Sequence, residues 1–317
     1  MNMFKQVSGG FKRGAMILIA GAVMASVSMV AHAQQLLVAV GAPEGTYAKM
    51  FDQATAVCQQ KIVLVQYKPA TTGSVQNVEL LMSNKVNAGI VQADVLFYRA
   101  MTDTRTASTV KTLFGLAPEE IHLIARADGV KDGGFLGFGG TRVIFNDLAD
   151  LDGRNIGAVG GSVITANILA AQAGIKMNVI NFNSNPEALQ ALQEKKIDAV
   201  VVVGGQPMPV VSALSSDYKL LSISDKFAEK LTAFYTKASL NYQNVGANGT
   251  PTLATQALFV TRDYRTPDMV EALTTFRSCV RSNLQTLQET LGNHEKWQDV
   301  KVGADGKWPL YDRKVGQ

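Results

Sequence analysis

The feature that most constrains this chain is a series of short, largely apolar runs, each followed by small polar residues and then by a helical pattern. The runs are Leu36–Val40, Ile62–Val65, Ala88–Val91, Asn155–Val159, Val179–Phe182 and Ala199–Val203. Runs with no polar alternation suit parallel strands buried on both faces, with helices as the crossovers. The strand–helix alternation occurs both before and after residue 125, which predicts two α/β lobes. The chain leaves the first lobe near Arg126 and returns near Gln256. Residues 34–125 plus 256–317 then form lobe one, and residues 126–255 form lobe two. Two crossings make a two-segment hinge, and closure about a hinge around a ligand is a standard transition for such shapes.

Within this pattern, Thr71 to Arg99 carries the strongest local signal. Thr71-Thr72-Gly73-Ser74 is a polar turn, and Ser74 is a good N-cap for the helix that follows. Val75, Val78, Leu81 and Met82 recur at helical spacing. The strand Ala88–Val91 then runs into Gln92-Ala93-Asp94, polar groups at the carboxyl end of a strand, where open α/β sheets bind ligands. The N–H groups at the Thr72-Gly73-Ser74 helix start suit an anion. Gly160-Gly161-Ser162 repeats the device after the strand Asn155–Val159. The plain alternative is that both serines are caps and nothing more. Gly41-Ala42-Pro43-Glu44-Gly45-Thr46-Tyr47 is a glycine-bearing loop into another helix, without the Gly-Lys-Ser/Thr of a P-loop or a dinucleotide fingerprint. Glu44 would repel a carboxylate if it pointed inward, or could meet a ligand amine.

The first 33 residues have the pattern of a cleaved secretory leader. Lys5, Lys12 and Arg13 precede an apolar run from Ala15 to Val30, and Ala31-His32-Ala33 is an A-x-A site. The competing reading, a membrane anchor, is weakened by a core shorter than the roughly 20 residues a span requires. Without those three cations the formal charge falls from +4 to +1, and nothing argues for nucleic acid. An exported chain meets an oxidising compartment, so Cys58 and Cys279 are either one disulfide or two buried thiols. The three histidines, His32, His122 and His294, lack ligand spacing, so no metal or other cofactor is expected.

Gly133 to Arg142 is glycine-rich with two phenylalanines and reads as a flap or hairpin. Asn185 with Pro186 starts a helix, and Ala199–Val203 ends in Gly204-Gly205-Gln206-Pro207. The last long helix starts near Pro267. Its stripe of Met269, Leu273, Phe276, Val280, Leu284, Leu287 and Leu291 reads as core packing. The tail from Lys301 is polar, and no role follows from it.

The segments TTGSVQNVELLMSNKVNAGIVQADV, PEEIHLIAR, DLDGRNIGAVGGS and EALQALQEKKIDAVVVVGGQPMPVV together resemble the TAXI branch of TRAP-transporter solute-binding proteins. The resemblance implies a type II-like periplasmic-binding-protein fold of two Rossmann-like lobes. It also implies a small carboxylate in the cleft (a glutamate-like amino acid, a dicarboxylate or an oxoacid), and delivery to a TRAP-type membrane permease. A periplasmic monomer without catalysis is then expected. Thr46, Tyr47, Thr72, Gly73, Ser74, Gln92, Asp94, Gly160, Gly161, Ser162, Gln206 and Pro207 are the candidate ligand residues. Arg99 and Arg126 are candidate carboxylate clamps, or else ordinary ion pairs. Two other classes stay open. An enzyme would need a nucleophile–base pair or metal cluster, which is not seen; His122 lacks an evident partner. An exported sensor or adaptor would present the ligand to a membrane partner without transport.

Overall fold

The computed structural model describes residues 35–133 and 140–315. The expected leader at 1–33 and residues 134–139 of the expected flap lie outside the described residues. Twelve strands are present among those described: β1 (Gln35–Ala39), β2 (Val63–Gln66), β3 (Ala88–Gln92), β4 (Val110–Arg126), β5 (Val130–Asp132), β6 (Thr141–Val143), β7 (Arg154–Ala158), β8 (Met177–Asn181), β9 (Ala199–Gly204), β10 (Tyr218–Leu221), β11 (Thr236–Tyr242) and β12 (Ala247–Arg262). Ten of them form one mixed sheet with the path β2-β1-β3-β12-β4-β9-β7-β8; β10 adds to β4 and β11 to β12.

The parallel pairings are confined to two triads. β1 lies between β2 and β3 in the first half, and β7 lies between β8 and β9 in the second. These hold the apolar runs seen in the sequence, and β3 is buried at all five positions. The triads are joined through β4 and β12, which are 17 and 16 residues long and antiparallel to each other. β4 is far longer than the expected hinge strand Ile121–Ala125, because it also takes in Val110 to Glu120. Pro118 has no N–H to give a ladder. The strand absorbs it at an irregularity where the register shifts between Gln256 and Leu258, and the Gln256 amide donates to Leu116 O.

Helices cover both faces of each triad, so the core is four apolar clusters, two per half. Thr46–Cys58 and Pro267–Ser282 pack together in one cluster, and Cys58 and Cys279 are joined in a disulfide with Cα atoms 5.9 Å apart. The expected final stripe is shorter than the sequence suggested. The helix stops at Ser282, a second one runs Leu284–Glu289, and Leu291 is fully exposed. The tail has a structural role. Trp308 and Tyr311 are buried, Trp308 Nε1 donates to Val110 O at 3.0 Å, and Leu310 bridges to Thr112. The base of the flap is the β5–β6 hairpin, tied down where Arg154 pairs with Asp132. No described helix is long and apolar enough to cross a membrane.

Candidate functional site

The carboxyl ends of β1, β3, β7 and β9 converge on one cavity of about 130 Å³, lined from both halves of the sheet. That is the end of an open α/β sheet where ligands bind. The helices that follow these strands also begin there. Thr46–Cys58, Ser74–Met82, Ala93–Thr102 and Gly161–Ala173 start at Gly45, Gly73, Gln92 and Gly160, and none of these four N-cap positions carries a side-chain cap bond. A helix start leaves N–H groups without intrahelical partners and carries partial positive charge. Four such starts lie around one small space, and at two of them part of the first turn is already engaged: Val95 N donates to Asp94 Oδ1, and Ser162 N and Val163 N donate to Val159 O and Gly160 O.

Ser74 and Ser162 are not N-caps as expected. Ser74 is the first residue of its helix and Ser162 the second, and the hydroxyl of each is turned toward a neighbouring strand. Ser74 Oγ accepts from Gln92 N at 3.0 Å, and Ser162 Oγ accepts from Val203 N at 3.1 Å. Each serine thus ties a helix start to the end of a strand, and the capping position passes to a glycine. Gly73 (φ 106°) and Gly160 (φ 53°) hold backbone conformations that L side chains rarely adopt. In the next helix of the second half, Ser184 rather than Asn185 is the cap, accepting from Glu187 N. Asn185 is left to line the cavity, with its Oδ1 buried and unpartnered.

Of the residues singled out from sequence, Thr46, Tyr47, Thr72, Gly73, Ser74, Gln92, Gly161 and Ser162 line this cavity. Gly160 lies just outside, in an adjoining groove of about 470 Å³ that also includes Thr72. Gln206 and Pro207 line a separate groove of about 750 Å³ beside Glu120 and Lys296. Asp94 is fully buried away from the cavity and accepts from Thr165 Oγ1 (2.7 Å), Tyr235 OH (2.9 Å) and Val95 N (2.9 Å). It therefore stitches the first half to the second. Burial raises its pKa, and these hydrogen bonds offset part of the rise. Arg99 and Arg126 are not clamps. Arg99 lies 3.8 Å from Glu79, and Arg126 donates to the carbonyls of Leu192 and Ile197. Glu44 is exposed and does not line the cavity. His122 is a core residue. Its ring nitrogens meet Val202 O and Tyr242 OH, and burial lowers its pKa to about 4.

Glu119 is one of the lining residues that sequence reasoning missed, with Asn185 and Met208. Its Oε2 accepts from Tyr47 OH at 2.5 Å, and that hydroxyl also lies 3.4 Å from Ser74 Oγ. Burial drives the Glu119 pKa up to about 8. The Tyr47 hydrogen bond and Lys296 work against the rise, while Asp94 and Glu120 add to it. The Tyr47 phenol is raised as well, first by burial and then by the adjacent Glu119. A signal existed in Pro118-Glu119-Glu120, an acid pair beside a proline within an otherwise apolar segment.

The two halves are in contact around the cavity. Thr46 Oγ1 donates to Gly205 O at 3.3 Å. A Cβ added to Gly161 would fall 2.0 Å from Gln92 Oε1, and one added to Gly160 would fall 2.4 Å from Thr72 O. Glycine at both positions lets the second half lie this close to the first. Among the described residues, no group of three or more His, Cys, Asp or Glu is placed to hold a metal ion.

This architecture matches solved two-lobed proteins. The substrate binding protein of an amino acid ABC transporter superposes with a TM-score of 0.52 at 12% identity, over 84% of this chain and 98% of that one. A protein from Bordetella bronchiseptica RB50 gives 0.51 at 17%, over 85% and 76%. One from Archaeoglobus fulgidus gives 0.50 at 14%, over 84% and 83%. At these identities the likeness establishes the fold, that of a type II periplasmic binding protein. The chain belongs to the NMT1-like family, whose sequence model matches residues 38–309.

Proposed function

We propose that this protein is a periplasmic solute-binding protein. It is exported by the leader at residues 1–33, and it captures a small carboxylate between lobe one (34–125 plus 256–317) and lobe two (126–255). The observation that carries the reading is the convergence of four uncapped helix starts, three from the first half and one from the second, on a cavity lined by both. Each start favours an anion by about 0.3–1 kcal/mol at exposed sites, and by up to about 2 kcal/mol when partly buried. A carboxylate spanning both sets of amides makes all its contacts only in the closed state, so binding drives closure. Thr46, Tyr47, Ser74, Gln92, Gly161 and Ser162 form the site, and no chemical step is needed from them. The TAXI resemblance assigns a TRAP-type permease as the membrane partner, served by a monomer.

Mass spectrometry of small molecules released from the purified protein tests this. A recovered carboxylate that rebinds in calorimetry, and that Ser74→Ala weakens, agrees with it. A recovered solute with no acid group refutes it. Loss of uptake of that solute on deleting a neighbouring permease gene would support the transport role; unchanged uptake would remove it.

A further inference from the structure

The carboxylate reading does not use Glu119, an acid that a carboxylate ligand can meet without repulsion only while it holds its proton. Three buried acids lie close together here, and two are fully engaged. Glu120 accepts from Lys296 Nζ at 2.5 Å through Oε1 and from Gln206 N at 2.9 Å through Oε2. Asp94 accepts from Val95 N, Thr165 and Tyr235. Glu119 lines the cavity, and only its Oε2 is taken, by Tyr47. The other unmet needs at the cavity are those of acceptors too. Gln92 is 3% exposed and its Oε1 has no partner, and Asn185 Oδ1 is buried and unpartnered. Among the described residues, no Lys or Arg side chain lines the cavity. Its volume of about 130 Å³ is close to that of a cavity of about 150 Å³ that takes up benzene. That is the scale of a solute with few heavy atoms.

We propose that the solute is a small amino monocarboxylate, with its carboxylate at the helix starts and its ammonium on Glu119, and that Glu119 selects against dicarboxylates and oxoacids. This rests on the carboxylate reading above and narrows it. An ammonium supplies the hydrogen-bond donors that Glu119 and Gln92 lack. A keto or hydroxyl oxygen in its place brings no positive charge to Glu119, and a second carboxylate brings repulsion. With a single carboxylate in the ligand, the absence of a lining Arg is expected, because the helix starts supply what that group needs.

The test is calorimetry with matched pairs on the wild-type protein: L-alanine against pyruvate and L-lactate, and 4-aminobutyrate against succinate, with ethylamine as the amine alone. The expected result is that an amino member binds and its partner binds about 10- to 100-fold more weakly, the scale of one lost charge-assisted hydrogen bond. Glu119→Gln should remove most of that gap by weakening the amino member and leaving the oxoacid unchanged. Binding of the amino member should also release protons, seen as heats that differ between two buffers. Burial pushes Glu119 up to about 8, so it is mostly protonated at neutral pH in the empty site, and an ammonium displaces that proton. Pyruvate or succinate binding as tightly as its amino counterpart overturns the proposal and leaves the carboxylate reading standing. Ethylamine binding as tightly as L-alanine overturns both. Failure of every member to bind overturns the proposal alone, since the solute recovered from the protein still judges the carboxylate reading.

Discussion

Gly161→Ala separates closure from folding. Gly161 is the first residue of a helix and has no unusual backbone angle, so alanine there carries no conformational penalty and raises helix propensity. The added methyl would sit 2.0 Å from Gln92 Oε1, 3.1 Å from Gln92 Cδ and 3.2 Å from Ser74 Cβ, all on the opposite half. Gln92 is buried, and its backbone N–H is held by Ser74, so its side chain has little room to retreat. Forcing it off its rotamer costs about 0.5–1.5 kcal/mol, and overpacking costs typically about 1–3 kcal/mol. These penalties fall on the closed state alone. Ligand affinity should drop by about 10- to 100-fold, while the ligand-free protein unfolds at the same denaturant midpoint as wild type or a slightly higher one. Calorimetry gives the affinity, urea unfolding gives the midpoint, and small-angle scattering shows whether ligand still compacts the molecule. Wild-type affinity and compaction in Gly161→Ala would refute the closure argument. A lower midpoint without ligand would show that the methyl meets something permanent within one half.

Three further outcomes follow from groups outside that contact. Reducing the Cys58–Cys279 bond, or Cys58→Ser with Cys279→Ser, opens a loop of 221 residues and should lower stability by about 2–5 kcal/mol in denaturant titrations. Lys296→Met strands Glu120 as a buried charge with only the Gln206 amide beside it; a loss of about 3–5 kcal/mol is expected, and Lys296→Met with Glu120→Gln should recover much of it. Glu119 keeps its proton to about pH 8 in the folded, ligand-free protein but releases it near the ordinary 4.5 when unfolded. The folded state therefore binds more protons across that window, and stability falls as pH rises through it. Urea unfolding at pH 5 and pH 8 should show the decline, and Glu119→Gln should flatten it.

Where local pattern and tertiary demand agree, the chain could be read directly. The apolar runs at Leu36, Ala88, Ile156 and Ala199 became the strands of the parallel triads because nothing about them suits a half-exposed surface. The glycines before Ser74 and Ser162 were visible as turns onto helix starts, and both turns reach the cavity. The hydroxyls themselves misled, since a serine beside a helix start looks like a cap until the neighbouring strand end is known. Glu119 was hidden for a similar reason. Pro118 and the acid pair look like a solvated turn, whereas pairing with β12 on one side of a bulge holds them inside. Trp308 and Tyr311 lie among polar residues with no periodicity, and only the β4 edge against which they pack gives them a place. Gln206 and Pro207 follow a buried strand as faithfully as Gln92 does, yet their loop turns toward Lys296, a direction no spacing encodes.

The disulfide has a mechanical consequence. It closes residues 58–279 into one covalent ring, which contains all of the second half and lies off the direct path between the two ends of the chain. Tension applied at the two termini is carried across the bond and bypasses the rest of the ring. Pulled end to end, the oxidised molecule should surrender only the short segments outside the ring, and the second half should yield only once the sulfurs are parted.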